Sequence, residues 1–379
     1  MKVRLGNYIK EYSVRNKKDE DIPVYSVTNT QGFCQDYFGK EVASKDKTTY
    51  KIVPRGCFAF NPSRINVGSV DWQKNEERVI VSPLYNVFSV SEQLDQQYLY
   101  YYLKSDFAIQ KIRAVATGSV RDNLKLAMLY EFPIEIPVIA EQRKIVDRLD
   151  RVKWLIELRE KELQSLDELI KARFVEMFGD PVNNPKGWQK KQLQELVTDD
   201  CTISYGIVQT GDDQEEGVPV FRPVDIVNHI PTRSELKRTT EEISNKYKRT
   251  ILKGRELLIT VRANIADTYI VGEDFSGCNV GRGIVPIRTN EDVITLEFLK
   301  HQIESKHLND NIKALAKGIT LIQLNMEDLR ELCLIVPPLS EQQSFVRFAK
   351  QVDKSKIEVQ KSLDEAQILF DSLMQQYFG

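Results

Sequence analysis

The chain echoes itself at long range. Ile136-Pro137, Glu141-Gln142 and Val146 return as Val336-Pro337, Glu341-Gln342 and Val346, each displaced by 200 residues. The register extends upstream, from Ala114, Ala116, Gly118 and Leu124 to Ala314, Ala316, Gly318 and Leu324, and downstream from Phe178-Gly179 to Phe378-Gly379. Farther upstream it loosens, as loops of changed length would produce. Gly56, Arg64 and Asn66 match Gly254, Arg262 and Asn264 at a displacement of 198, and Val24-Tyr25 match Val220-Phe221 at 196. A repeat of this period marks a duplicated folding unit, and 379 residues leave room for two or three domains. Two halves that kept one fold account for the echo whether or not they now do different jobs.

Each half has one order of elements. Ile22 to Val27, Cys57 to Phe60 and Val79 to Phe88 carry the β-branched and aromatic bias of strands, divided by Gly32, Gly39, Pro54, Pro62 and Gly68. The second half repeats the type with Val218 to Val224, Glu256 to Val261 and Gly283 to Ile287. A helix then closes each region: Leu94, Tyr98, Leu99 and Tyr102 recur at spacings of three and four, as do Phe298, Leu299 and Ile303. That spacing suits burial against a sheet better than a stack of bases.

After Ile136-Pro137 the pattern changes to heptads. Leu149, Ile156, Leu163, Ile170 and Met177 fall seven apart, with Val152 and Leu166 between them; Leu363, Phe370 and Tyr377 form one series in the second copy, and Val352, Val359, Ala366 and Leu373 the other. Such a seam requires a facing helix, and the equivalent segment of the other half is the natural partner. A helix from Glu141 to Phe178 would be about 57 Å long at 1.5 Å per residue. Trp154, Leu155 and Leu158 broaden the apolar surface beyond the seam, and Arg159 and Arg173 interrupt it. The broad face suits a protein partner, and equally a wrap around the facing helix or its own domain. Two glycines and two prolines between Gly179 and Gly187 break the chain before Trp188.

Motifs for chemistry are missing from the sequence. The three histidines, His229, His301 and His307, lack the four-residue spacing that converges on zinc. Five scattered cysteines form no CxxC pair, which fits a reducing cytoplasm. Asn61-Pro62-Ser63-Arg64 fails at its third and fourth positions the Asn/Asp-Pro-Pro-aromatic motif that grips a flipped adenine. Gly277, Gly281 and Gly283 lack the Lys-Ser/Thr ending of a phosphate loop, and no glycine-rich fingerprint marks an adenosylmethionine site. No apolar run reaches membrane-spanning length, and Met1 to Lys10 has no secretory pattern. We therefore expect no catalytic residues, no metal and no cofactor in this chain.

Hydrogen-bonding and cationic loops remain. Arg64 and Asn66, and again Arg262 and Asn264, keep an Arg-x-Asn spacing. Arginine can fork onto guanine and asparagine can pair with adenine; an arginine satisfying loop carbonyls beside a turn-forming asparagine fits as well. Lys237, Arg238, Lys246, Lys248 and Arg249 form the densest basic cluster, near Glu235, Glu241 and Glu242, so it reads as a phosphate-facing surface or as a salt-laced exterior. Lys45, Lys47, Lys51, Arg55 and Arg64 are a thinner counterpart in the first half. The formal charge of −2 gives no bulk signal for nucleic acid and does not exclude a local basic face.

In duplicate and in this order, the Ile136-Pro137 to Glu141-Gln142 and Val336-Pro337 to Glu341-Gln342 entries into long helices, with Phe178-Gly179 echoed by Phe378-Gly379, resemble the specificity subunits of type I restriction-modification systems. The resemblance covers essentially the whole chain and implies an α+β fold with an internal pseudo-two-fold. Target recognition domains would occupy 1–135 and 181–335, and two antiparallel spacer helices 136–180 and 336–379. It further implies that each domain reads one half of a split, asymmetric target in double-stranded DNA while the helices set the gap. Two methyltransferase subunits, using S-adenosylmethionine, would dock on the helical regions, with Trp154, Leu155 and Leu158 as part of the surface, and restriction subunits would join where the system has them. An adaptor whose duplicated domains bind proteins is the rival reading.

Overall fold

The computed structural model describes residues 2–35, 46–116, 123–227, 231–318 and 322–379; Gly39, Lys45, Gly118 and His229 lie outside them. The fold is α+β, with β-rich regions and two long helices that pack tightly. The chain divides into two compact units, one of Met1–Lys161 with Gln360–Gly379, the other of Glu162–Val359. Each unit holds one β-rich region and a stretch of both long helices.

In the first unit, Ile9–Glu11, Asn86–Val90, Phe58–Phe60 and Val70–Trp72 form a four-stranded antiparallel sheet in that order. Phe58 sits opposite Phe88 with the rings stacked at 5.1 Å, because facing residues of adjacent strands share one side of the sheet. Helices Gln96–Lys104, Asp106–Val115 and Leu126–Tyr130 follow, and Lys2–Arg4 pairs with Pro133–Glu135. Tyr98, Leu99 and Tyr102 are fully buried, as their spacing predicts.

The second unit repeats the plan. Leu257–Thr260 lies between Thr268–Ile270 and Ile284–Ile287; Val218–Phe221 joins Arg238–Thr239 antiparallel and Asn279–Val280 parallel. Leu296–Glu304, Lys306–Leu315 and Met326–Arg330 are its helices, and Lys190–Gln192 pairs with Cys333–Ile335 as Lys2–Arg4 does with Pro133–Glu135. Two apolar runs end sooner than their composition suggests. Val79 to Phe88 splits into Arg78–Val81 and Asn86–Val90 around Pro83, and Val218 to Val224 stops at Phe221 because Pro223 opens a short helix.

The long helices, Ile139–Phe178 and Leu339–Phe378, have 40 residues each. Within the second unit they run antiparallel: Phe178 meets Phe345 at 5.7 Å between ring centroids, and farther back along the first helix Asp167 meets Lys356, farther forward along the second, at 2.6 Å. In the first unit Arg148 Nη1 donates to Tyr377 Oη at 2.8 Å. Leu149, Val152, Ile170, Val352 and Val359 of the heptad series are buried. Arg173, where the seam loses its apolar residue, lies over the Phe348 ring at 5.7 Å.

The repeated Glu-Gln pair acquires a physical reason here. Gln142 is fully buried; its Oε1 accepts from the Asp95 amide at 2.8 Å and its Nε2 donates to the Gln93 and Pro137 carbonyls, both at 2.8 Å. Gln342 does the same with the Thr295 amide at 2.9 Å and the Val293 and Pro337 carbonyls at 3.1 and 2.8 Å. Asp95 and Thr295 are the N-caps of the helices Gln96–Lys104 and Leu296–Glu304, so each glutamine locks the start of a long helix to the start of a core helix.

Candidate nucleic-acid interface

The two Arg-x-Asn sequences lie in different units and on equivalent loops. Each loop follows a central strand, Phe58–Phe60 or Leu257–Thr260, and each is tied to the segment before the third short helix. Leu124 donates its amide to Pro62 O at 3.1 Å, and Leu324 to Val261 O at 3.0 Å.

In the first unit Arg64 is exposed and caps the turn Ile65–Val67, and Arg113 Nε donates to the Asn66 carbonyl at 3.1 Å. The preceding Asn61 accepts from Ser63 N at 3.1 Å and Ser63 Oγ at 3.0 Å, an Asx turn that accounts for this stretch structurally.

In the second unit Arg262 is half-buried. Its Nε donates to Gln323 Oε1 at 2.7 Å and its Nη2 to the same oxygen. Burial first, and the neighbouring Arg282 charge second, push its guanidinium below the ordinary value. Gly283 lets Pro223 pack close beside this loop, since a Cβ there would stand 2.4 Å from Pro223 Cγ. Asn264 is exposed and its side chain hydrogen-bonds Asp267. Ala263 and Ala266 take left-handed conformations, φ 61° and 67°, which cost a side-chain-bearing residue on the order of 1–2 kcal/mol each. Thr260 Oγ1, bonded to the Asn264 carbonyl and the Asp267 amide, holds the loop in that form.

The side chains of the basic cluster differ in what they engage. Lys237 Nζ donates to Gly211 O at 2.6 Å, Arg238 donates its amide to Asp213 at 2.8 Å and Nη1 to Gly217 O at 3.5 Å, and Lys246 pairs with Glu242 at 2.9 Å. Lys248 and Arg249 are exposed on the one-turn helix Lys248–Thr250. In the first unit Lys51 and Arg55 are bonded to the carbonyls of Tyr85, Asn75 and Glu76.

Trp154, Leu155 and Leu158 are 60%, 38% and 39% exposed, and their counterparts, Lys354, Ser355 and Glu358, are polar. Leu169 and Leu369 are 46% and 49% exposed at the same register of the two helices. Their 200-residue spacing was the signal that could have found them. Gln323 and Arg282 carried no such signal, since their relation to Arg262 exists only in the folded chain. Among the described residues no group of His, Cys, Asp or Glu is placed to hold a metal ion, and no helix is long and apolar enough to cross a membrane.

Two β-rich regions, each opening into a 40-residue helix and each presenting an Arg-x-Asn loop, define a duplicated α+β recognition protein. Residues 2–168 and 185–368 match the family described as Type I restriction modification DNA specificity domain, and the chain belongs to that family, the non-catalytic specificity subunits of type I restriction-modification systems. It is similar to the type I restriction enzyme EcoBI specificity subunit of Escherichia coli, 22% identical over 290 residues that cover 70% of this chain and 61% of that protein. It is also similar to the StySPI specificity subunit of Salmonella potsdam, 21% identical with 98% of this chain and 84% of that one covered. The chain spans about three fifths of the length of the first curated relatives it matches. A chain from a solved structure on complex assembly and conformational transition of the type I R-M system superposes with a TM-score of 0.62 at 20% identity, covering 100% of this chain and 97% of that one. The S subunit of a type I system from M. genitalium gives 0.52 at 14%, covering 100% and 96%.

Proposed function

We propose that this chain is the DNA-reading subunit of a cytoplasmic type I restriction-modification assembly and that it recognises an asymmetric, two-part target. Residues 1–135 and 181–335 each read one part of the duplex. Residues 136–180 and 336–379 are the helical segments that impose a fixed number of unread base pairs between the parts. The observation that carries this reading is the pair of Arg-x-Asn loops: both are pinned by a backbone bond from the equivalent leucine, Leu124 or Leu324, yet Arg64 is exposed while Arg262 is forked onto Gln323. Equivalent loops with different side-chain surroundings are what a split target with unlike halves requires.

Catalysis belongs to partners. Two methyltransferase subunits carrying S-adenosylmethionine dock on the helical segments, where Trp154, Leu155, Leu158, Leu169 and Leu369 expose apolar surface, and restriction subunits join where the system has them. Arg64, Asn66 and Asn264 reach the bases or the adjoining backbone, and Lys248 and Arg249 approach phosphates, with Lys237, Arg238 and Lys246 behind them. Selection from a library of randomised duplexes by the chain assembled with its methyltransferase tests the proposal. The expected product is two short motifs at a constant spacing; a flat profile overturns it and favours a protein-binding adaptor.

A further inference from the structure

We propose that Gln323 reads a guanine and that Arg262 is the positioning residue that determines what Gln323 can read. A free glutamine amide is a versatile reader, with one oxygen to accept and two N–H bonds to donate, and its usual match is adenine, to which it donates at N7 while accepting from the N6 amino group. Gln323 has lost half of that repertoire. Both lone pairs of its Oε1 face the Arg262 fork, from Nε at 2.7 Å and from Nη2. What remains is Nε2 with its two donors, for which no described residue supplies an acceptor. Among the major-groove edges only guanine offers two acceptors side by side, N7 and O6.

The surroundings hold this amide in place. Gln323 and Lys317 exchange backbone bonds at 3.0 Å in both directions, and Leu324 N donates to Val261 O at 3.0 Å, so the residue is fixed to the loop that carries Arg262. Gln323 itself is half-buried; Lys317, Arg282, Asn264 and Ile322 beside it in sequence or space are exposed, and Ile322 is 54% so. A preorganised donor pair within a cationic surface is what base reading needs, because the orientation is set before the duplex arrives. Arg262, half-buried and engaged through two of its donors, does not itself need to meet a base. In the first half the register-equivalent residue is Asn123, one methylene shorter, and the equivalent arginine, Arg64, is exposed.

This inference rests on the DNA-reading proposal above, and one experiment separates the two. The full chain, assembled with its methyltransferase subunits, is taken through selection on randomised duplexes as wild type, Gln323→Glu, Gln323→Ala and Arg262→Lys. The wild type should require a guanine in one part of the motif. Gln323→Glu keeps a partner for Arg262 but replaces the two donors by an acceptor, so preference for that guanine should fall roughly 5- to 150-fold, with cytosine gaining, while the other part of the motif is untouched. Gln323→Ala should lose the preference without gaining another, and it serves as the second variant if the charged one folds poorly. Arg262→Lys cannot fill both lone pairs, so the same position should relax to accept adenine; a merely structural role would lower affinity for every sequence alike. An unchanged motif in Gln323→Glu and Gln323→Ala, or a uniform loss, overturns the inference while the DNA-reading proposal stands. An Arg262→Lys motif identical to the wild type overturns the part given to Arg262, and a flat wild-type profile overturns both proposals together.

Discussion

The ring of Phe378 lies 5.1 Å from that of Tyr98, edge to face, so the end of the second long helix completes the core of the first unit. Phe178, its echo, stands 4.9 Å from Phe298 in the core of the second. Each β-rich region is thus closed by the helix that belongs to the other half of the repeat. Deleting either ring removes a buried aromatic with no replacement at hand, at a cost of about 3–5 kcal/mol. Phe378→Ala should therefore increase amide exchange at Leu99 and Leu103 and leave Leu299 and Ile303 protected, whereas Phe178→Ala should do the reverse. Equal loss in both units from either variant contradicts the assignment.

Gln142 and Gln342 each satisfy three backbone groups inside the protein. Gln142→Ala would leave the Asp95 amide and two carbonyls without partners, and a buried polar group left in that condition costs about 1–3 kcal/mol. A clear drop in the denaturation midpoint is expected, matched by Gln342→Ala. A surface glutamine on the same helix, Gln164, bonded through its side chain to Glu168, provides the control and should change the midpoint little.

Periodicity made much of this architecture legible. The heptads show that each half ends in a long helix with an apolar seam, and such helices run over Ile139–Phe178 and Leu339–Phe378. The repeated Glu-Gln was visible as letters, but its purpose was not, because a buried glutamine looks in sequence like any exposed one. Local rules also failed where proline removed a backbone donor, at Pro83 and Pro223. The Arg262–Gln323 contact spans 61 residues and follows no periodic pattern, so sequence could nominate the arginine and miss its partner. The basic cluster was left open between two readings for a related reason: the contacts of Lys237 and Arg238 with loop carbonyls are set by tertiary structure and not by composition.

His301 supplies a test in pH. Burial first, then the charge of Lys300, pushes its imidazole down to about 4, with Glu304, Asp353 and Lys356 also facing it, and its ring stands edge-on to Phe345 at 5.2 Å. The unfolded chain binds a proton near pH 6.5 and the folded chain does not until about pH 4, so stability is present above that window and declines as pH falls through it. At pH 5 the loss is ~2 kcal/mol by linkage. Unfolding midpoints measured from pH 7 to pH 4.5 should fall more steeply in the wild type than in His301→Gln; parallel curves would show that His301 is protonated in the folded state.

Exposure separates the basic residues into those able to meet phosphate and those already engaged. Lys248→Gln and Arg249→Gln should each lower the slope of log affinity against log salt by about one, with base preference unchanged. Lys237→Gln should leave that slope alone, since the Lys237 ammonium is bonded to the Gly211 carbonyl. Binding isotherms of the assembled complex between 50 and 200 mM salt, a range over which phosphate contacts change affinity by roughly orders of magnitude, would resolve the difference. A larger effect from Lys237 than from Lys248 would move the phosphate track elsewhere.

Leu169 and Leu369 hold the same position in the two copies of the helix and are about equally exposed, 46% and 49%. Trp154 lacks such a twin, Lys354 standing in its place. If two identical methyltransferase subunits dock on repeated surfaces, the repeated leucines belong to both contacts and the tryptophan to one. Leu169→Asp and Leu369→Asp should then each yield complexes with one methyltransferase, and the double variant complexes with none, because an ionised side chain in a desolvated contact finds no partner. Trp154→Ala should weaken one of the two binding events and spare the other. Native mass spectrometry of the assembled complex reads the stoichiometry directly, and full occupancy in the double aspartate variant would place the docking surface away from these leucines.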